Sequence, residues 1–189
     1  MVAFKRLVMI LMAGLMALAG LTAASAQSPQ YDLLKAIEDE DIKEATDLLA
    51  RGISPNTRRR SSRIPALLIA NDTGNLALLK LLLDYNANPN IADPDRGETV
   101  LMRRAVAGHV AGIQLMLSYK ADPNRADIGQ ETALMKAVRA RKFKAAQILL
   151  EAGADPNVQD LTGKTALEYA KLSRSRRMVR VLQEAGATY

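Results

Sequence analysis

Short apolar segments alternate with polar breaks along most of this chain, and the alternation repeats. A threonine or proline opens an apolar-periodic stretch, a brief polar break follows, and a second stretch carries three large apolar residues in a row. Leu81-Leu82-Leu83, Leu115-Met116-Leu117 and Ile148-Leu149-Leu150 hold that place in three successive units. Helical rather than alternate spacing of the apolar positions predicts two helices per unit. Two independent markers keep the same period. Asn88-Pro89-Asn90, Asp122-Pro123-Asn124 and Asp155-Pro156-Asn157 follow a degenerate Ser54-Pro55-Asn56 at spacings of 34, 34 and 33 residues. Thr99-Val100-Leu101-Met102, Thr132-Ala133-Leu134-Met135 and Thr165-Ala166-Leu167-Glu168 recur every 33, with Pro65-Ala66-Leu67-Leu68 34 residues earlier.

A unit of this size cannot bury its apolar face alone, so neighbours must stack. The pattern predicts an all-α solenoid of about five helix-turn-helix units, over residues 31–63, 64–97, 98–130, 131–163 and 164–189. The leading threonines are placed to cap their helices by accepting an orphan backbone N–H, and Thr165 with Glu168 forms a capping-box pattern. Gly52, Gly153 and Gly186 stand just past the second helices, where a left-handed residue ends a helix at little cost; Asn86 tolerates that geometry and Lys120 fits it less well. A stack needs polar outer faces. Asp39, Glu40, Asp41, Glu44 and Asp47 supply one in the first unit, and Arg176, Arg177, Arg180, Gln183 and Glu184 supply the other in the last.

The repeated residues resemble the ankyrin repeat, a unit of roughly 33 residues with a Thr-Pro-Leu-His tetrapeptide, two antiparallel helices, a Gly-Ala-Asp ending and a β-hairpin-like finger. Asn157 to Thr165 follow the family's finger pattern without a gap, and the likeness covers the whole chain after the leader. The chain departs from the family in three ways. The tetrapeptide histidine is replaced by Leu34, Leu68, Met102, Met135 and Glu168. The glycine between helices is kept at Gly74 and Gly108 but becomes Arg141 and Arg174, which implies strained or altered turns. The finger at Ile91 to Glu98 is one residue longer, and the finger before the second unit is a basic run from Arg58 to Arg63.

The resemblance implies a protein-interaction module whose finger tips and first helices line a concave surface. Carried over position by position, it marks Arg59, Arg60, Asp95, Arg96, Ile128, Leu161 and Lys164 on the fingers, and Ile69, Arg103, Lys136 and Tyr169 on the first helices. That strip is expected to be basic with scattered apolar residues. Arginine and tyrosine favour interface anchor positions, which puts Arg96, Arg103 and Tyr169 first. A second basic feature is a ridge at the turns between helices, with Arg139, Arg141, Lys142 and Lys144 beside Arg174, Arg176, Arg177 and Arg180.

Residues 1–26 break the repeat. Lys5 and Arg6 precede an apolar run from Leu7 to Leu21, and Ala24-Ser25-Ala26 offers small residues around a cut. That three-part order is a secretory signal, and the run is shorter than the ~20 residues that span a bilayer. The expectation is a cleaved signal peptide and a periplasmic protein, residues 27–189 forming the repeat domain. The alternative is a membrane-surface or inner-membrane-anchored scaffold, held by an uncleaved signal or by weak contact of the basic ridge with anionic lipid. Without Lys5 and Arg6 the net charge falls from +6 to +4. Residues 27–56 hold seven acids and three bases, whereas 57–189 hold thirteen and twenty-one.

Chemistry is scarce. The chain has no cysteine, which removes disulfides, thiolate nucleophiles and cysteine metal sites. Its one histidine, His109, follows a first helix in a Gly-His pair and is expected to be structural. Glu38-Asp39-Glu40-Asp41 lacks the alternating ligands and central glycine of a calcium loop. No metal, cofactor or catalytic role is expected, and the partner is expected to be a protein bound by a monomer. A basic sequence suggests nucleic acid, but an exported chain with Phe143 as the only phenylalanine after the leader and no tryptophan has little with which to stack bases.

Overall fold

The computed structural model describes residues 28–188, so the leader expected at 1–26 lies outside the described residues. Ten helices run through them: α1 (Pro29–Glu38), α2 (Ile42–Ala50), α3 (Ala66–Thr73), α4 (Leu76–Asp84), α5 (Val100–Ala107), α6 (Val110–Ser118), α7 (Ala133–Arg139), α8 (Phe143–Glu151), α9 (Ala166–Leu172) and α10 (Arg176–Glu184). Consecutive helices pack as five pairs. First helices stack on one another from α1 through α3, α5 and α7 to α9, and second helices do so in α2 on α4 and in α6, α8 and α10. This is the all-α solenoid that the periodicity predicts.

The repeated apolar positions form the seam. Leu67, Leu101, Leu134 and Leu167 are at most 2% exposed, and in each three-residue ridge the middle side chain is sealed, with Leu82, Met116 and Leu149 at 0%. Thr99, Thr132 and Thr165 cap α5, α7 and α9, their hydroxyls accepting from Met102 N, Met135 N and Glu168 N at 3.3, 3.4 and 3.4 Å. Thr165 N also donates to Glu168 Oε2 at 2.7 Å, which completes the predicted box.

The turn between helices is the same in every unit. Gly74 and Gly108 sit at φ of +83° and +72°, and Glu40, Arg141 and Arg174 adopt the same left-handed corner at +55°, +58° and +53°. The arginines therefore keep the turn and bear its strain, on the order of 1–2 kcal/mol per residue with a Cβ. Lys120, at +63°, does likewise after α6.

The third residue of each Pro-Asn marker joins one unit to the next. Asn56, Asn90, Asn124 and Asn157 accept through Oδ1 from the backbone N–H of Asn88, Asp122, Asp155 and Thr188, at 2.8, 2.8, 2.7 and 3.0 Å. The first residue of the marker fixes the turn: Asn88, Asp122 and Asp155 accept from the N–H two positions on. The marker recurs because each copy accepts a backbone N–H of the next unit and so ties neighbours together at the surface. Short antiparallel bridges, Arg58 with Pro65, Ala92 with Thr99 and Ala126 with Thr132, close three fingers. The fourth closes through Asp160 N to Lys164 O at 3.0 Å.

Candidate partner-binding face

Each of the last three fingers is built around a buried aspartate. Asp93, Asp127 and Asp160 are each 8% exposed. One carboxylate oxygen accepts backbone N–H groups of the finger: from Asp95 and Arg96, from Gly129 and Glu131, and from Thr162 and Lys164. The other oxygen turns toward the first helix of the same unit. It meets Arg103 NH2 at 3.0 Å, Lys136 Nζ at 2.7 Å and the Tyr169 hydroxyl. Finger and helix are thereby locked into one body.

These contacts change the roles expected of Arg103, Lys136 and Tyr169. Arg103 also grips both oxygens of Asp72 in the preceding unit, at 2.9 and 3.0 Å. Lys136 lies among Asp127, Glu98 at 3.0 Å and Glu131 at 3.4 Å, with only 11% of its side chain exposed. Arg139 pairs with Glu131 and lies over the Tyr169 ring, 5.1 Å from its centroid. Of the three expected anchors, Arg103 and Tyr169 are thus engaged by the molecule's own carboxylates, as is Lys136, while Arg96 stays exposed. On the floor beneath the finger tips the carboxylates of Asp72, Asp93, Glu98, Asp127, Glu131 and Asp160 outnumber the bases Arg103, Lys136 and Arg139, whereas the tips carry Arg60 and Arg96.

The ionisation of these groups follows from that packing. Burial alone would raise the Asp160 carboxyl, but hydrogen bonds from Tyr169, Thr162 and the finger backbone outweigh it and hold the group at about 2. Asp93 is lowered against the same burial by the Arg96 N–H and by Arg103. Desolvation works against the charge on Lys136, yet Asp127 and Glu98 raise its pKa.

The second unit is wired differently. Arg59 stands where the other fingers have aspartate, and it pairs with Glu38 at the end of α1. Ile69 stands where the others have Arg103, Lys136 and Tyr169, and it is 6% exposed. The expectation that Ile69 offers a contact surface is therefore corrected: an apolar side chain has no finger carboxylate to reach for, and it packs into the core.

What remains exposed is at the tips. Ile128 and Leu161 are 67% and 72% exposed, among the most exposed large apolar residues described. Adjacent fingers hydrogen-bond to one another, Ile128 N to Arg96 O and Leu161 N to Gly129 O, both at 3.0 Å, so Arg96, Ile128 and Leu161 form one row. Arg60, Asp95 and Arg96 are exposed; Arg59 and Lys164 are half-buried, Lys164 reaching Thr162 Oγ1 at 3.2 Å. A groove of about 620 Å³ between α1 and the first finger is walled by Tyr31, Leu34, Lys35, Arg58 and Arg60.

His109 is structural: its Nδ1 accepts from Gly112 N at 3.2 Å and caps α6. On the basic ridge, Arg139 belongs to the floor just described and Arg177 stacks on Phe143 at 3.7 Å, while Arg141, Lys142, Lys144, Arg174, Arg176 and Arg180 are exposed. Two features escaped the sequence reading. The finger aspartates recur with the same period as the markers, which could have revealed them. Arg104, 6% exposed beside Arg103, stands where the other units have alanine.

Stacked helix pairs, Thr-capped first helices and hydrogen-bonded fingers agree with comparison against known families. The family model for ankyrin repeats, itself three copies long, matches residues 33–127, 66–160 and 124–189. The chain is an ankyrin-repeat protein. Such repeats are protein-interaction modules and are generally not catalytic. No curated protein matches the chain.

Proposed function

We propose that this ankyrin-repeat protein is exported and docks one protein partner on its finger-lined face, without performing catalysis. The observation that carries the reading is the row of Ile128 and Leu161. Two large apolar side chains project into solvent from fingers whose backbones are pinned to each other and to the helices below. Ordering loops on binding costs entropy, and these loops are already ordered. Arg96, in the same row, adds a charged anchor at the edge. The groove beside Arg58 and Arg60 extends the face toward the first unit and favours an acidic stretch of the partner.

Chemical cross-linking of the full chain in its native compartment tests this face. An Ile128→Asp, Leu161→Asp variant is expected to capture its partner at least about tenfold less well than the wild type, as apolar anchors in an interface core require. Equal capture would refute the assignment. Export is tested separately by intact mass: loss of residues 1–26 supports the periplasmic reading, and a chain that retains them overturns cleavage.

A further inference from the structure

The outward faces of the stack can be read from exposure, because one position recurs in five environments. Glu44 is exposed in the first unit, whereas its counterparts Leu78, Gly112, Ala145 and Met178 are buried. Asp32 is half-exposed, and its counterparts Ala66, Val100, Ala133 and Ala166 are at most 1% exposed. Both therefore face outward at the first unit. At the opposite end Lys171 is exposed, while Ile37, Asn71, Ala105 and Val138 are buried at its position. Lys171, Arg174, Arg176 and Arg180 line a shallow depression of about 570 Å³ that has no carboxylate among its lining residues.

The first face carries Asp32, Asp41 and Glu44 against Lys43 and Arg51, and the last carries Lys171, Arg174, Arg176 and Arg180 against Glu184, so one end is acidic on balance and the other basic. Solubility requires polar ends but does not require opposite signs. Ends of like charge would repel copies stacked end to end, so opposite charge forgoes that protection. We infer that two copies of this chain associate head to tail, the acidic face of one first unit resting on the basic face of another last unit. This leaves the finger-lined face free and goes beyond the reading given above.

The contacts between units inside the chain say which residues would meet. Asn75 Nδ2 donates to Glu40 Oε2 of the preceding unit at 2.8 Å, and the Tyr119 hydroxyl donates to Asp84 of the unit before it. Carried one unit past the end, the first contact sets Asp41 of one copy on Arg174 of the other. The second sets Arg51 on Glu184. Both pairs are of opposite charge. The stacking of Arg177 on Phe143 sets Lys43 beside Arg176 in the same register, a like-charge pair that weakens the contact. Such an interface is heterologous and does not close, so it builds short strings rather than a symmetric dimer.

The absence of cysteine makes the test clean. Full chains carrying Lys43→Cys and Arg176→Cys are mixed and treated with a short bis-maleimide; these changes remove the repulsive pair and leave both attractive ones. The mixed product is expected to form at least about tenfold faster than either self-pair at low salt, and to lose that advantage at about 0.5 M salt, where surface pairs are screened. Adding Arg174→Glu to the second chain should abolish the advantage, and Asp41→Arg in the first should restore it. Mixed and self-pairs forming equally fast would overturn the inference, as would indifference to Arg174→Glu. Capture of the basic face by phosphatidylglycerol vesicles with no mixed product would overturn it too. Ile128→Asp, Leu161→Asp in both chains should leave the mixed product unchanged, so failure of this inference is distinguishable from failure of the proposed docking face.

Discussion

Arg104 occupies a position that the other units fill with Ala36, Ala70, Ala137 and Ala170. Its guanidinium donates to Asn71 O at 3.1 Å, its Nε has no partner, and desolvation lowers its pKa. Gly112 makes the room: a Cβ there would come within 2.8 Å of Arg104 Cδ. The two residues form one exchange, a large side chain gained on α5 and one lost on α6. Gly112→Ala alone is expected to destabilise by about 1–3 kcal/mol through overpacking. Arg104→Ala alone should cost less than about 2 kcal/mol, because the cavity it leaves beside Gly112 is offset by removal of a poorly paired buried charge. Together they should stabilise by about 0.5–1 kcal/mol relative to Arg104→Ala, the usual gain of alanine over glycine within a helix. Urea denaturation of the four proteins measures the coupling, and additive effects would contradict the packing. Arg141 offers a simpler case. Its corner is left-handed without being glycine, and Arg141→Gly should raise stability by about 0.5–1 kcal/mol once the added freedom of the unfolded chain is deducted. That the turn persists with arginine was hidden in the sequence, since glycine's absence is compatible with either strain or a different turn.

At the scale of the element, the fingers show how far repetition can be read. Their places and lengths follow from the marker spacing, and so does the helix cap at Thr165. The commitment of Arg103, Lys136 and Tyr169 does not. A first-helix side chain that follows the tetrapeptide can point into solvent or back to its own finger, and the difference depends on a carboxylate nine or ten residues earlier. The pair formed by Asp160 and Tyr169 makes that dependence measurable. The carboxyl is held at about 2 against an ordinary 3.8, so its contribution to stability is complete above pH ~4 and disappears as pH falls toward 2. Tyr169→Phe removes the hydroxyl that binds the charged form. The variant should therefore be less stable than the wild type at pH 7 and pH 5, with the gap narrowing between pH 4 and pH 2. Urea midpoints across that range check it, and a gap that persists unchanged at pH 2 would assign the loss to packing instead.

The whole molecule is a one-dimensional stack in which α7 touches α5 on one side and α9 on the other. Stability in such an array is approximately a sum over units and nearest-neighbour interfaces, so the place of a lesion matters as much as its size. Leu33 and Leu134 are both 0% exposed, and truncation of either to alanine should cost about 2–5 kcal/mol. Their consequences should differ. Leu134→Ala weakens the fourth unit between two interfaces, and the last unit then has little to stack on. Its α9 and α10 should exchange their amide protons together with α7 and α8, well before α1 to α4. Leu33→Ala weakens the end unit, so α1 and α2 should open while α5 to α10 stay protected. Hydrogen exchange followed helix by helix separates the two patterns. If both variants lost protection evenly along the chain, the ladder from Asn56 to Asn157 would couple the units into a single cooperative body, and the nearest-neighbour description would fail for this protein.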